Sequence, residues 1–235
     1  MDNHAQERTG GAGRPRLVLA SQSPARLKLL RDAGFAPEPV VSGVDESAYD
    51  APTPYELAVI LAHAKAEAVA KRVGPDALVI GCDSVLDLGG IAYGKPADAA
   101  DAISRWKDMR GKDGMLLTGH CLIDTREVAK DGAEDGDGDG NGRRTPHFEV
   151  GATLVRFGEL SDEEIEAYVA TGEPLHVAGA FTLDGLGGSF VESIAGDPSN
   201  VIGLSLPLLR RLLAEVGIRV SDLWAPREPL VRVTA

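Results

Sequence analysis

Short apolar runs alternate with capped helical segments along this chain, and that alternation restricts it to α/β architectures. Leu17-Val18-Leu19-Ala20 reads as a buried strand, and Ser21-Gln22-Ser23-Pro24 follows it at once. A serine N-cap with proline at the first helical position opens a helix there, with Leu27, Leu30 and Ala33 on one face and a stop at Gly34. A second strand is expected over residues 38–42, ending in Asp45-Glu46. Thr53-Pro54-Tyr55-Glu56 is a capping box, and it starts a long helix whose apolar face uses Leu57, Ile60, Leu61, Ala64 and Ala68. Leu78-Val79-Ile80-Gly81-Cys82 reads as a strand with Asp83 at its end, and Gly89-Gly90 marks a hairpin. A helix over 98–109, strands over 115–125 and 148–157, a capping box at Ser161–Glu164 and a last helix through Pro207 and Leu212 to Gly217 complete the pattern. Hairpin pairs interrupt the strand–helix alternation, so the expected fold is a mixed β-sheet flanked by helices. No internal repeat and no linker divides the chain. The expected organisation is a tail over 1–15, one domain over 16–224, an insertion over 130–146 and a second tail over 225–235.

Composition narrows the function classes. Of 235 residues, 43% are hydrophobic and 26% charged, enough apolar material for a sizeable core. Thirty-six acidic against 24 basic residues give a net charge of −12, which repels polyanions and argues against a nucleic-acid polymer or an anionic membrane as partner. A small anionic substrate stays open, because a few cations or a metal ion can outweigh a distant field. No run of eighteen apolar residues offers a membrane span, and the first fifteen residues lack the apolar stretch of a signal peptide. Cys82 and Cys121 are expected to be buried free thiols, and the protein is expected to be cytoplasmic.

Several residues could carry chemistry. The helix opening at Ser23, with Ser21 and Arg26 beside it, could bind a phosphate through backbone N–H groups, hydroxyls and guanidinium. Asp83, beyond an apolar strand, could hold a metal ion or take a proton from water. Lys95 lies in a Gly94-Lys95-Pro96 turn, and Lys65 flanks the buried stripe of the long helix. Glu46 could pair with Asp83 around Mg²⁺ if the fold brings them together. His63, His120, His147 and His176 lack metal-ligand spacing, and His63, next to Lys65, is the histidine expected near a cleft. Trp106 and Trp224 are assigned to packing. In the acidic insertion, Asp135-x-Asp137-x-Asp139-Gly140 matches the first half of a calcium loop, but Pro146 stands where the bidentate glutamate belongs, so a solvated excursion is expected there.

Taken in order, L-A-S-x-S-P-x-R-x-x-L-L, V-D-E, K-A near a helix end, G-x-D-S and G-K-P resemble the Maf family of nucleoside triphosphate pyrophosphatases. The resemblance continues through Thr118-Gly119, Ala178–Phe181, Gly185–Gly188 and Val201–Leu204, covering roughly residues 16–216. It implies a hydrolase that cuts an NTP between the α- and β-phosphates, with Asp83 as proton acceptor and a divalent cation, Mg²⁺ or Mn²⁺, as cofactor. It implies that Ser21, Arg26, Glu46, Lys65 and Lys95 line one cleft between two lobes, in a homodimer whose fold is similar to that of the enzymes clearing inosine triphosphate. Base selection is associated with Ala25, Ser84 and Asp184. Ala25 stands where the branch acting on dTTP and UTP usually has arginine. Ser84 stands where that branch has threonine and the 7-methyl-GTP branch glutamine, and Asp184 replaces a glutamine or glutamate. These departures leave the base open, although a carboxylate at 184 can accept from guanine N1–H and N2–H₂. A nucleotide-binding regulator of septation or cell shape is the alternative that the same resemblance allows.

Overall fold

The structure, a computed structural model, describes residues 15–126 and 145–226. The expected N-terminal tail up to residue 14, residues 130–144 of the expected insertion and residues 227–235 of the expected C-terminal tail lie outside the described residues. Among those described, one mixed sheet organises the chain in the order β2-β1-β3-β5-β6-β7, with β4 also paired to β3. β1 (Arg16–Leu19) lies parallel to both β2 (Glu38–Pro39) and β3 (Ala77–Leu88). β3, β5 (Asp113–Asp124), β6 (His147–Phe157) and β7 (Val191–Ala195) then run antiparallel, and β4 (Ile91–Tyr93) closes a hairpin on β3 through Gly89-Gly90.

Helices cover both faces. α1 (Pro24–Asp32) and α6 (Leu206–Glu215) enclose a core with Leu19, Leu78, Ile80 and Leu122 on one face. α2 (Pro54–Ala70) covers the other, against Val18, Val79, Cys121 and Ile123. A separate core gathers Trp106 of α3 (Ala99–Met109), Ile165 and Tyr168 of α4 (Asp162–Ala170), and Leu86 and Phe157 from the far half of the sheet. Trp106 packs there fully buried, its indole N–H donating to Ala180 O at 2.8 Å, whereas Trp224 forms a backbone bridge to Phe35 and is 51% exposed, against its assignment to packing.

The fold revises four readings from sequence. β3 does not stop at Cys82 but runs to Leu88, because β5 pairs with it residue by residue through Asp83↔Gly119 and Ser84↔Thr118. The polar residues that broke the apolar run are thus inside a strand. β2 ends at Pro39 rather than at 42, since its partner β1 ends at Leu19 and offers nothing beyond to pair with. β7 and the short helix α5 (Pro198–Ile202) carry little apolar signal and were not foreseen.

The fourth revision concerns α2, whose buried face is Ala58, Leu61, Ala62, Lys65, Ala66, Val69 and Ala70, while Ile60 is 37% exposed. Larger side chains suggested the wrong stripe. The helix instead lies on its alanines because two glycines let its backbone touch the sheet. A Cβ at Gly81 would sit 2.4 Å from Ala62 O and 2.7 Å from Ala66 N, and one at Gly119 would sit 2.2 Å from Ala58 O. Those neighbours are backbone atoms, which cannot swing aside. Gly81→Ala is therefore expected to lower stability by about 2 kcal/mol, as overpacked cores do, read from the urea midpoint. An unchanged midpoint would mean that α2 does not rest on this glycine.

Candidate active site

On one edge of β3 the register leaves a gap: β1 ends with Leu19 opposite Ile80, and β4 reaches only to Tyr93 opposite Leu86. Residues 81–85 have no strand neighbour on that side. The gap lies at the carboxyl end of β1, where the chain passes to β2 through α1 and to β3 through α2, the switch point at which open α/β sheets bind ligands. A cleft of about 870 Å³ occupies it, and all ten residues singled out from sequence line it: Ser21, Ser23, Ala25, Arg26, Glu46, Lys65, Asp83, Ser84, Lys95 and Asp184.

The floor begins with α1. Ser23 caps the helix by accepting from Arg26 N at 3.3 Å, and Ser21 Oγ accepts from Ser23 N at 3.1 Å. Arg26 is nearly buried, with Nε donating to Gly203 O at 2.6 Å, Nη1 to Ser21 Oγ at 3.4 Å and Nη2 to Ser84 Oγ at 3.0 Å. No carboxylate pairs with it among the described residues, so its charge is available to an anion.

On the opposite face of β3, Asp83 points toward α2. Lys65, buried by the close approach of that helix, places Nζ 2.5 Å from Asp83 Oδ1 and 2.8 Å from Glu46 Oε1. Lys95 Nζ lies a further 3.7 Å from Glu46 Oε1. The charges thus alternate from the buried floor to the solvent: Asp83, Lys65, Glu46, Lys95. With Arg26 and the cleft-lining Asp184 included, three cations meet three carboxylates, and the cleft is locally balanced in a chain of net charge −12.

The two carboxylates are tuned apart. Burial raises the Asp83 carboxyl above its ordinary range, although Lys65 and Arg26 pull the other way. Burial also pushes Glu46 upward, but its hydrogen bond to Lys65 and the charges of Lys65, Lys95 and Arg26 outweigh that and leave it below the usual range. Their surroundings thus favour the charged form of Glu46 and the protonated form of Asp83. Their oxygens are hard donors suited to Mg²⁺ or Mn²⁺. Among the described residues no group of three or more His, Cys, Asp or Glu could hold a metal ion. Such a cation would therefore need phosphate oxygens and water for most of its shell, which is how Mg²⁺ is commonly bound beside a nucleotide.

Supporting residues went unassigned in the sequence. Thr118 Oγ1 lies 2.9 Å from Ser84 Oγ and donates to Asn200 O at 3.1 Å, so the Ser84 hydroxyl is committed to Arg26 and Thr118. Arg72 donates to Val41 O at 2.6 Å and Ser42 O at 3.0 Å, pinning the loop that leads to Glu46. Arg105 fixes the Lys95 turn through Gly94 O at 2.7 Å. Thr118 and Gly203 stood in quoted motifs, but nothing near Arg72 or Arg105 signalled a role. The histidine near the cleft is His176, not His63. Two positions from Lys65 on a helix, His63 faces away and packs edge-on against Phe148, ring centres 5.1 Å apart.

An α/β sheet opened at its switch point, with a buried aspartate, paired lysines and an unpaired arginine in one cleft, defines a protein that handles a polyanionic phosphate substrate. The family model described as Maf-like protein matches residues 16–216, and the chain belongs to that family. A Streptomyces coelicolor protein called nucleoside triphosphate pyrophosphatase is 61% identical over 92% of this chain and 97% of its own length. Proteins of the same name from Streptomyces avermitilis and Thermosynechococcus vestitus are 59% and 53% identical, over 92% and 87% of this chain and 97% and 96% of theirs. A solved structure described as a nucleoside-triphosphatase, dITP/XTP pyrophosphatase, from Mycobacterium abscessus aligns with 62% of this chain and 75% of its own at 15% identity and a TM-score of 0.35, a slight likeness.

The buried Lys65 contact has a measurable consequence. Lys65→Met strands the buried Asp83 carboxylate and is expected to cost about 3 kcal/mol, the usual penalty for breaking a buried pair. Adding Asp83→Asn should return about 1 kcal/mol or more of that loss in a double-mutant cycle of urea unfolding. Strictly additive free energies would mean that the contact couples nothing.

Proposed function

We propose that this chain is a nucleoside triphosphate pyrophosphatase that hydrolyses its substrate between the α- and β-phosphates to a nucleoside monophosphate and pyrophosphate. The observation that carries the reading is the alternating row of Asp83, Lys65, Glu46 and Lys95 beside Arg26, in a family whose similar members bear that name. Asp83 is held at one oxygen by Lys65, and its second oxygen makes no hydrogen bond among the described residues. That oxygen takes the proton of a water attacking the α-phosphorus, and the bond from that phosphorus to the bridging oxygen breaks to release pyrophosphate. Lys65 holds the base in place and offsets its charge. Lys95, half-exposed at the mouth, and Arg26 at the floor meet the phosphate oxygens, with Ser21 and the α1 N-terminus capped by Ser23. Asp83 and Glu46 are the residues that would hold a divalent cation, which supplies neutralisation of phosphate charge when bound.

The substrate is a free nucleotide rather than a nucleic-acid polymer, since the charge excess is negative outside the cleft. Its base lies toward Ala25, Ser84 and Asp184. A panel of dTTP, UTP, CTP, ITP and 7-methyl-GTP with Mg²⁺ or Mn²⁺ tests the reading, and pyrophosphate is the expected product. Asp83→Asn should lower turnover by about 10²–10⁴-fold with the fold intact. Orthophosphate appearing without added pyrophosphatase would overturn α–β cleavage, and nucleotide binding without any turnover would favour a regulatory role in septation.

The same reading extends to assembly and compartment. Tyr55 and Ile60 of α2 and Phe148 and Leu154 of β6 leave large apolar side chains exposed on the α2 side of the sheet. Such a patch suits an isologous interface between two copies, so we read the protein as a homodimer. Sedimentation velocity should give twice the chain mass of 24.6 kDa, and Leu154→Asp should shift it to the monomer. A monomeric wild type would refute the dimer. Cys82 and Cys121 lie on neighbouring strands as free buried thiols, which suits a reducing cytoplasm. No described helix is long and apolar enough to cross a membrane.

A further inference from the structure

The cleft wall opposite α1 is a loop, residues 182–187, and it carries Thr182, Leu183 and Asp184 into the cleft. Its entry is anchored by Phe181, whose ring packs on Phe157 with centres 5.0 Å apart. Its exit leads to Phe190, which packs on Tyr168 at 5.2 Å. Between those two anchors most side chains are exposed or absent: Asp184, Leu186 and Ser189 are exposed, Gly185, Gly187 and Gly188 have none, and Thr182 and Leu183 are half-buried. A loop of this composition has little apolar burial to hold it in one conformation.

What gathers it is a single carboxylate from outside the loop. Glu173 lies in a 3₁₀ turn after α4 and points into the concave side of 182–187. Its Oε1 accepts from Thr182 Oγ1 at 2.5 Å, Gly187 N at 3.0 Å and Tyr168 OH at 3.1 Å, and its Oε2 accepts from Leu186 N at 3.1 Å. Tyr168 OH also accepts from Thr182 N at 3.3 Å, so the phenol links the carboxylate to the backbone of Thr182 as well as to its hydroxyl. No lysine, arginine or histidine pairs with Glu173 among the described residues; every partner is a neutral donor, and three of the four donors to the carboxylate belong to the loop. An ionised carboxylate that accepts from several donors forms shorter and stronger bonds than a neutral acceptor.

We propose that Glu173 is a positioning residue for the nucleoside end of the cleft: by binding Thr182, Leu186 and Gly187 it sets where Leu183 and Asp184 stand against Ala25 on α1. The proposal rests on the nucleotide reading above and concerns a different part of the site. Glu173 touches neither the phosphate-facing cations nor Asp83. Its loss should therefore weaken the hold on the nucleoside and spare the phosphate chemistry, a division that a purely structural role would not produce.

The variant that tests it is Glu173→Gln, which keeps the size but puts an amide N–H₂, a donor, where one oxygen now accepts. With the panel nucleotide that the wild type turns over fastest, KM is expected to rise about tenfold, with kcat within about threefold. Inhibition by the corresponding nucleoside monophosphate should weaken by a similar factor, and inhibition by inorganic pyrophosphate should stay unchanged. Unaltered KM and monophosphate inhibition would overturn the proposal, as would an equal weakening toward pyrophosphate, which would mark a general loosening of the cleft. If Glu173→Gln fails to fold, Thr182→Ala removes the shortest donor alone, and the same split, about threefold, is expected; its absence overturns the proposal equally. A wild type that releases pyrophosphate from none of the panel would refute the hydrolase reading instead. Calorimetric titration of the five nucleoside monophosphates into wild type and variant would then still decide the role of Glu173: weaker binding to the variant supports it, and equal binding or none refutes it.

Discussion

The contact between α2 and the sheet at Gly81 and Gly119 sets the geometry of everything else in the cleft. A helix packed on a sheet through ordinary side chains is held off by their bulk, a gap that a lysine spans only by reaching across it. Here the helix backbone meets the strands where two side chains are missing, at Ala58, Ala62 and Ala66. Lys65 is one turn beyond Leu61 on that same face, and Asp83 follows Gly81 by two residues on the same side of β3. The approach that brings the alanines onto glycine also presses the ammonium onto the carboxylate and excludes water from both. Asp83 owes its raised affinity for a proton to that burial.

Charge in this protein has to be read at two scales. Over the whole chain the acidic excess discourages polyanions, and that is a statement about long-range encounter with polymers. Within the cleft, Arg26, Lys65 and Lys95 offset Glu46, Asp83 and Asp184, so the acidic excess of the chain lies outside it. The row also differentiates its members. Glu46 has cations on both sides, Lys65 and Lys95, and its charged form is favoured. Asp83 has one ammonium and an apolar strand around it, and its neutral form gains. Two carboxylates of the same chemistry are thereby given different proton affinities by their surroundings.

Much of the frame was legible along the chain. The helix caps at Ser23, Thr53, Asp98 and Ser161 are local hydrogen bonds between a side chain and a backbone N–H two or three residues on, so the sequence spells them directly. The hairpin at Gly89-Gly90 is local for the same reason. The length of β3 was not legible, because whether Asp83, Ser84 and Asp87 extend a strand depends on β5, about thirty residues later. Nor was the buried face of α2, since alanine signals burial weakly and only a glycine on another element makes it the better spacer. Arg72, Arg105 and Glu173 act through carbonyls and N–H groups of loops distant in sequence, and no pattern of residue types announces a bond to a backbone atom elsewhere.

By itself, then, the sequence determined which residue types and local turns were available: capped helices, a mixed sheet, and a set of carboxylates, lysines and an arginine whose order matches the Maf pattern. Those follow from side-chain chemistry and from interactions between near neighbours in the chain. Only the tertiary structure decided that Asp83, Glu46, Lys65 and Lys95 form one alternating row, that Ser84 serves Arg26 and Thr118, and that the loop bearing Asp184 closes around Glu173. Each of these depends on a distance between elements, and those distances are set by packing, here above all by where a glycine lets two backbones meet.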